Sequence, residues 1–163
     1  MTSSNYDDQK KKVTGGRNGF GAKLANIFST EFIVETADSK SKLMYKQRWK
    51  NNMGVREEPV IKDNKDGKDF TSITFKPDLQ RFGMSKLDED IVSLMTKRAY
   101  DMAGCTPASV KVKLNGKLID IKNFNSYVDL YLQTQENKEL PKIVEKPTSD
   151  RWEVICSLSD GQF

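Results

Sequence analysis

The chain has 163 residues, of which 36% are hydrophobic and 31% charged, with a mean hydropathy of −0.67 and a net charge of +4. This composition is polar for a folded protein, but it contains too many aliphatic and aromatic residues to be typical of a disordered chain. No apolar run approaches the roughly 18 residues that a membrane span needs, and residues 1–12 lack the apolar segment of a secretory signal.

The residue types present restrict the chemistry that the chain can perform. Its two cysteines, Cys105 and Cys156, have no Cys-x-x-Cys spacing, which is typical of a protein in a reducing compartment. The sequence contains no histidine, so the commonest general base and the commonest zinc ligand are missing. Basic side chains are in excess over residues 1–119 and acidic ones afterwards, which fits either an anionic partner for the first part or a solvated surface.

The first half of the chain predicts a helix followed by strands. Apolar side chains at Phe20, Leu24, Ile27 and Phe28 form one stripe of a helix that begins near Gly19. The predicted strands are residues 31–37 and 43–49, which form a hairpin, residues 60–62 within a polar loop at 51–69, and residues 70–77.

The second half predicts two helices, a hairpin and a final strand. The first helix covers residues 85–104, with Ser85 as its cap, Gly104 as its end, and a buried apolar face. That face consists of Leu87, Ile91, Leu94, Met95 and Met102. The other predicted elements are a hairpin at 109–121 around Asn115-Gly116, a short helix at 124–133, a polar linker at 133–149 and a strand at 151–159. This order predicts an α+β layer sandwich with a largely antiparallel sheet.

A glycine-rich run, "VTGGRNGFGAKLANIFS" at residues 13–29, is the most distinctive part of the sequence. It lacks the P-loop's lysine and hydroxyl positions, and it does not follow the apolar strand of a dinucleotide-binding fingerprint. Successive glycine amides before a helix start can nevertheless form an anion-binding nest, and Arg17 and Lys23 add positive charge. A flexible loop before an ordinary core-packing helix explains the same residues, so the pattern alone leaves both interpretations open.

The whole run, however, resembles the N-terminal ATPase region of the eukaryotic type IIA DNA topoisomerases. The resemblance is carried by "TSSNYDD", "KKVTGGRNGFGAKLANIFSTEF", "FTSITFKPDLQRFGM", "LDEDIVSLMTKRAYDMAG", "VKVKLNGK", "YVDLYL" and "RWEV", and it covers nearly the whole chain. The details of "NNMGVREEPVIK" and "LSDGQF" resemble plant members.

This resemblance implies a GHKL (Bergerat) ATPase fold, a mixed or antiparallel sheet with helices on one face, which is incomplete here. Residues 1–119 would be the C-terminal part of that ATPase domain with its ATP lid, and residues 120–163 the start of a transducer domain. The resemblance assigns contacts with ATP to Ser3, Ser4, Asn5, Gly16, Arg17, Asn18, Gly19, Phe20, Gly21, Ala22 and Lys23. Phe20 replaces the tyrosine that is usual in the family, which puts a hydroxyl contact there in doubt.

The resemblance also implies what lies elsewhere. The catalytic glutamate and the Mg²⁺-binding asparagine of the family precede residue 1, and the transducer lysine follows residue 163, so no catalytic or metal-binding residue is expected in this chain. The implied parent is a nuclear, homodimeric, ATP-dependent enzyme that passes one DNA duplex through a break in another, without a membrane partner. Another GHKL ATPase of the chaperone or mismatch-repair type, and a non-catalytic phosphate- or DNA-binding module, are the alternatives. The chain alone is expected to be inactive.

Overall fold

The structure is a computed structural model that describes residues 5–10, 15–132, 140–145 and 152–158. The chain divides into two compact units, Met1–Lys86 and Leu87–Phe163.

The described part of the first unit, residues 5–10 and 15–86, contains one α-helix and a five-stranded sheet. Its elements are α1 (Phe20–Ile27), β1 (Ser29–Asp38), β2 (Leu43–Lys50), β3 (Val55–Arg56), β4 (Val60–Asp63), β5 (Phe70–Pro77) and a 3₁₀ turn (Leu79–Phe82). The predicted helix, hairpin and strands are therefore confirmed in this unit. The loop predicted at 51–69 is more ordered than expected, because it contains β3 as well as the predicted strand β4, and both pair with β2.

All pairings in this sheet are antiparallel, and the strand order is β3-β2-β1-β5 with β4 also on β2. Val34 lies opposite Gln47 on β2 and Ile73 on β5, so these three side chains share one face of the sheet. On the same face, Phe32 is only 1% exposed and contacts the edge of Trp49, with ring centroids 6.2 Å apart. Ile33 and Ala37, which point to the opposite face, are also buried, so β1 is buried on both faces and forms the centre of this unit.

In the second unit, the residues that the structure describes form two helices and two small antiparallel strand pairs. Its elements are α2 (Glu89–Cys105), β6 (Lys113–Leu114), β7 (Lys117–Leu118), α3 (Phe124–Leu132), β8 (Lys142–Glu145) and β9 (Val154–Ser157). Asn115 and Gly116 have φ of 50° and 80°, as a tight hairpin turn between β6 and β7 requires. That predicted turn is confirmed, although its strands are shorter than the sequence pattern indicates.

The predicted ends of α2 are wrong by a few residues. The helix begins after Asp88, whose side chain accepts a hydrogen bond from the Ile91 amide at 2.9 Å, so Asp88 and not Ser85 is the cap. At the other end the helix continues through Cys105, and Gly104 lies inside it. A carbon at the Cβ position of Gly104 would lie 2.4 Å from Cγ of Tyr127 on α3. Gly104 is therefore explained by close helix packing and not by a helix end.

The prediction of a buried apolar face on α2 is also wrong. Leu87, Leu94, Met95 and Met102 are between 42% and 52% exposed, whereas the buried residues of the helix are Asp101, Ala103 and Gly104. Helix α2 packs on α3 near its C-terminal end, where small residues permit close approach, so the contact does not follow the apolar stripe.

A buried carboxylate joins these two helices. Asp101 accepts hydrogen bonds from Lys97, Arg98 and the Tyr127 hydroxyl, the last at 2.5 Å. The Tyr127 hydroxyl also lies 2.9 Å from that of Tyr131. The hydrogen bond from Tyr127, followed by that from Lys97, lowers the pKa of Asp101, and the same contact raises the pKa of Tyr127 above its ordinary range.

One further difference concerns the end of the chain. Strand β8 lies within the stretch predicted as a polar linker, because its backbone pairs with β9 and local polarity does not reveal that partner.

Candidate anion-binding site

The glycine-rich run forms an open backbone surface in front of α1. Gly16 and Gly19 have φ of 79° and 66°, a left-handed conformation that side chains other than glycine rarely adopt. Apart from adjacent residues of the chain, no atom of the described residues lies within 4 Å of the Cβ position of Gly15, Gly16 or Gly21. The main chain of the run can therefore be approached closely from outside.

The N-terminus of α1 retains unused hydrogen-bonding capacity. Gly19 is the N-cap residue and offers no side-chain hydrogen bond to the first turn, which also contains no acidic residue. The amides of Phe20, Gly21 and Ala22 thus begin a helix without a side-chain cap. Such a terminus favours an anion, because free amides and the positive end of the helix dipole point the same way.

The sheet holds the other end of α1. The side-chain amide of Asn52 donates to the Ile27 carbonyl and to the Asp78 carboxylate, both at 2.9 Å, and the Asp78 amide donates to the Phe28 carbonyl at 2.8 Å. Asn52 adopts a left-handed φ of 56°, between two residues that do the same. The sequence analysis missed Asn52, since its contacts join positions far apart in the chain. The C-terminal end of α1 is therefore held by these hydrogen bonds, while its N-terminal amides have no side-chain cap.

The preceding segment is attached to the glycine-rich run by side chains. The Asn5 side-chain amide donates to the Gly16 carbonyl at 3.1 Å, and the Tyr6 hydroxyl donates to the Asn18 carbonyl at 3.4 Å. Arg17 forms an ion pair with Asp8 at 2.8 Å, with both side chains more than half exposed. The structure thus brings Asn5 to the predicted site, while Ser3 and Ser4 lie outside the described residues.

Lys23 lies one turn into α1 and lines a cavity of about 270 Å³ between the helix and the sheet. Within the part of the chain that the structure describes, its ammonium group forms no ion pair. The Phe20 ring is 57% exposed and carries no hydroxyl, so this residue offers its amide only. The arrangement can hold an anion through main-chain donors and one lysine.

Within residues 5–10, 15–132, 140–145 and 152–158 the structure contains neither a metal-binding cluster of side chains nor a membrane-spanning helix. No three histidine, cysteine, aspartate or glutamate side chains there are grouped so that they could hold a metal ion. None of the helices in these ranges combines the length and the apolar character that crossing a membrane requires.

Comparison with known proteins identifies the class to which this fold belongs. No family model matches the sequence. The structure is similar to the ATPase region of Saccharomyces cerevisiae topoisomerase II, with a TM-score of 0.88 and 52% identity over 98% of this chain and 41% of that one. It is also similar to the ATPase and transducer domains of DNA topoisomerase II from Balamuthia mandrillaris, with a TM-score of 0.84 and 44% identity over 99% of this chain and 40% of that one. The chain therefore has the fold of the ATPase region of a type II DNA topoisomerase.

The sequence relatives specify the family. DNA topoisomerase 2 of Arabidopsis thaliana and that of Pisum sativum are each 57% identical to this chain over its whole length, and that of Saccharomyces cerevisiae is 49% identical. The chain corresponds to an internal part of eukaryotic DNA topoisomerase 2, and it spans 11% of the length of the two plant relatives. The predicted family and fold class are confirmed, and the two plant relatives at 57% identity fit the resemblance to plant members.

Proposed function

We propose that this chain forms the phosphate-binding lid of the ATP-operated gate in a type II DNA topoisomerase. The observation that carries the proposal is the uncapped N-terminus of α1, preceded by two left-handed glycines and followed within one turn by Lys23. These donors fit a triphosphate, because main-chain amides without side-chain shielding and one lysine complement a compact anion.

Each part of the run has a role in the proposal. The amides from Gly16 to Gly21 hold the β- and γ-phosphates, and Lys23 adds a charge-assisted hydrogen bond. ATP supplies the phosphoanhydride whose binding and hydrolysis operate the gate. Asn5 keeps the lid in place through the Gly16 carbonyl, and Phe20 contributes through its main chain. Ser3 and Ser4 belong to the proposal through the family resemblance alone.

Arg17 is available to the nucleotide despite its ion pair with Asp8. Both side chains of that pair are exposed, and exposed pairs typically contribute only about 0–1 kcal/mol. Exchanging Asp8 for a phosphate oxygen therefore costs little. In the proposal, Arg17 moves from Asp8 to the triphosphate when the lid closes.

The chemical step is not assigned to this chain. Water activation needs a positioned base, and charge neutralisation needs a metal ion. The family resemblance implies that the Mg²⁺ ligands and the catalytic glutamate belong to other parts of the parent protein, and we include that placement in the proposal. We expect the 163-residue chain alone to release no phosphate from ATP above the buffer background, and a Lys23→Ala variant is the control in a phosphate-release assay.

The activity of the whole protein also belongs to the proposal. We propose a homodimeric nuclear enzyme whose ATPase regions close on each other when ATP binds and so control the passage of duplex DNA. We further propose that residues 1–119 belong to the ATPase domain and residues 120–163 begin the transducer. The boundary between the two compact units, after Lys86, is a different division.

The test is direct nucleotide binding to the complete ATPase region. Lys23→Ala removes one charge-assisted hydrogen bond, worth roughly 1.5–3 kcal/mol, and so weakens ATP binding about 10- to 150-fold in calorimetry. Lys65→Ala, at an exposed lysine outside the site, is the matched control and leaves the affinity unchanged.

The glycines provide a second comparison. Gly19→Val forces a β-branched residue into a left-handed conformation at the cap, and we expect it to weaken ATP binding at least as much as Lys23→Ala does. Gly15→Ala, at a position with open space around it, leaves binding close to wild type. Equal ATP affinity in wild type, Lys23→Ala and Gly19→Val would contradict the proposal that this lid binds the phosphates of ATP.

A further inference from the structure

Three consecutive residues after β2 adopt a backbone conformation that is unusual for residues with a side chain. Asn51, Asn52 and Met53 have φ of 53°, 56° and 67°, all in the left-handed region. Residues other than glycine visit this region mostly one at a time, because the Cβ atom then lies too close to the following carbonyl oxygen. Strained backbone persists where the surrounding structure holds it, and it is common at ligand clamps and switches. This left-handed turn therefore calls for an explanation.

Main-chain hydrogen bonds hold the left-handed turn against the start of β1. The Asn51 amide donates to the Thr30 carbonyl and the Asn52 amide to the Ser29 carbonyl, both at 3.0 Å. The Gly54 amide donates to the Asn51 carbonyl at 2.9 Å and closes the turn. The turn is therefore fixed to the strand that directly follows α1.

The side chains of the turn lie beside α1 at two places. The side-chain amide of Asn52, which is half-buried, donates to the Ile27 carbonyl at the C-terminal end of the helix, at 2.9 Å. Met53 lines the cavity of about 270 Å³ that Lys23 and the buried Asn26 of α1 also line. One short turn is thus placed against the end of α1 and against the space beside Lys23.

The residues that follow β5 support the same end of the helix. The Asp78 amide donates to the Phe28 carbonyl at 2.8 Å, and the Asp78 carboxylate accepts from the Asn52 side chain at 2.9 Å. The Arg81 guanidinium lies over the Phe28 ring, 5.7 Å from its centroid, and the Phe82 ring centroid is 5.4 Å from that of Phe28. Asn52 joins the two supports, because it donates to the helix end and to Asp78 at the same time.

We propose that Asn52 is a positioning residue for ATP: by bonding Ile27 and Asp78 it fixes α1, so that the free amides and Lys23 meet the phosphates. Helix α1 has eight residues, which is about 12 Å, so a tilt at its C-terminal end also displaces the N-terminal amides. Hydrogen bonds weaken steeply with distance and angle, and a displacement of about 1 Å is enough to impair a binding site. The left-handed conformation is retained because it places the Asn52 amide against the Ile27 carbonyl.

This role rests on the proposed function, in which α1 binds the phosphates, and it is tested with Asn52→Gly in the complete ATPase region. Glycine adopts the left-handed conformation without strain but has no side-chain amide, so the turn is kept while both hydrogen bonds are lost. We expect KM for ATP to rise about fivefold, the change that corresponds to one neutral hydrogen bond, while kcat stays within about twofold of wild type. Asn51→Gly, which relieves the same strain at an exposed residue and keeps the main-chain hydrogen bonds, is the matched control and leaves KM unchanged.

The division between KM and kcat separates positioning from a purely structural role. A variant that only unfolds more easily contains less active protein, which lowers kcat and leaves KM unchanged. That result for Asn52→Gly would overturn the positioning role, and so would an equal rise in KM for Asn51→Gly. Wild-type KM in Asn52→Gly, while Lys23→Ala is impaired, would also overturn it and would leave the lid proposal intact. If Lys23→Ala and Gly19→Val bind ATP as tightly as wild type, the proposed function fails first, and the role of Asn52 fails with it.

Amide hydrogen exchange of the wild-type ATPase region gives a readout that needs no variant. The amides of Asn51, Asn52 and Asp78 should exchange slowly in the absence of nucleotide, because their hydrogen bonds hold the helix end before ATP binds. The amides of Gly21 and Ala22, in the uncapped first turn of α1, should exchange rapidly until ATP is added. Rapid exchange at Asn51, Asn52 and Asp78 in the nucleotide-free protein would contradict a support that is formed in advance.

Discussion

Replacing Gly104 with alanine should destabilise the protein, although alanine is the better helix former. Gly104 lies in α2, where the substitution gains up to about 1 kcal/mol from helix propensity. The added carbon, however, would lie 2.4 Å from Cγ and 2.8 Å from Cβ and Cδ2 of Tyr127, far inside the roughly 3.5 Å of a carbon–carbon contact. Because its hydroxyl is bonded to Asp101 and Tyr131, the Tyr127 ring cannot move away without losing hydrogen bonds.

The expected size follows from these opposing contributions. Overpacking of this kind costs typically about 1–3 kcal/mol, which leaves a net loss of up to about 2 kcal/mol after a full helix gain of about 1 kcal/mol. For a chain of this length a net loss of about 2 kcal/mol lowers Tm by about 4–8 °C. The measurement is urea unfolding followed by circular dichroism, with Tm as a second readout. Gly21→Ala in α1, where the added carbon meets no atom within 4 Å, is the matched control and should be neutral or stabilising.

A double-mutant cycle isolates the cause. In a Tyr127→Ala background the obstructing ring is gone, so Gly104→Ala should become neutral or stabilising there. A loss of the same size in both backgrounds would mean that contact with the ring is not the reason for the glycine. A variant Gly104→Ala that is more stable than wild type would refute the packing argument altogether.

Three further predictions concern the second unit. The pKa of Asp101 is lowered in the folded state, first by the hydrogen bond from the Tyr127 hydroxyl, so the ionised carboxylate stabilises the fold at pH values above its unfolded-state pKa of about 3.9. This contribution is lost as the pH falls through the folded-state pKa, and the difference in unfolding free energy between wild type and Asp101→Asn should therefore shrink between pH 6 and pH 3. A difference that stays constant over this range would contradict the assignment. Asp88→Ala should cost about 1 kcal/mol in urea unfolding because it removes the α2 cap, whereas Ser85→Ala should cost almost nothing; the reverse order would place the cap at Ser85. Gly116→Ala should lose about 1–2 kcal/mol in the same assay, since its φ of 80° suits glycine, and an unchanged midpoint would argue against this turn.

Local sequence patterns predicted most of the elements because their causes are local. The alternating strand at residues 70–77, the hairpin of β1 and β2, and the Asn115-Gly116 turn each depend on neighbouring residues, and the structure contains all three. The two short strands β3 and β8 behave differently. Each contains few residues and depends on backbone pairing with a strand elsewhere in the chain. Local sequence patterns therefore predicted neither strand.

Some features of the candidate site could likewise be predicted from the sequence, and others could not. The glycine-rich run before an apolar helix is visible in the sequence, because the left-handed turns at Gly16 and Gly19 require residues without a side chain. The pairing of Arg17 with Asp8, the support of α1 by Asn52 and the burial of Asn26 are not visible. Each joins positions that only the folded chain brings together.

The sequence by itself therefore determined the family, through its resemblance to known members, the order of the main elements and the place of the glycine-rich run. The order of the elements and the place of the run depend on periodicity and on the conformational freedom of glycine, which act over a few residues. Only the tertiary structure decided that α2 is buried through Asp101, Ala103 and Gly104 instead of its apolar stripe. The reason is that burial is a property of pairs of surfaces: the small residues of α2 meet Tyr127 on α3, and nothing in α2 alone specifies that partner.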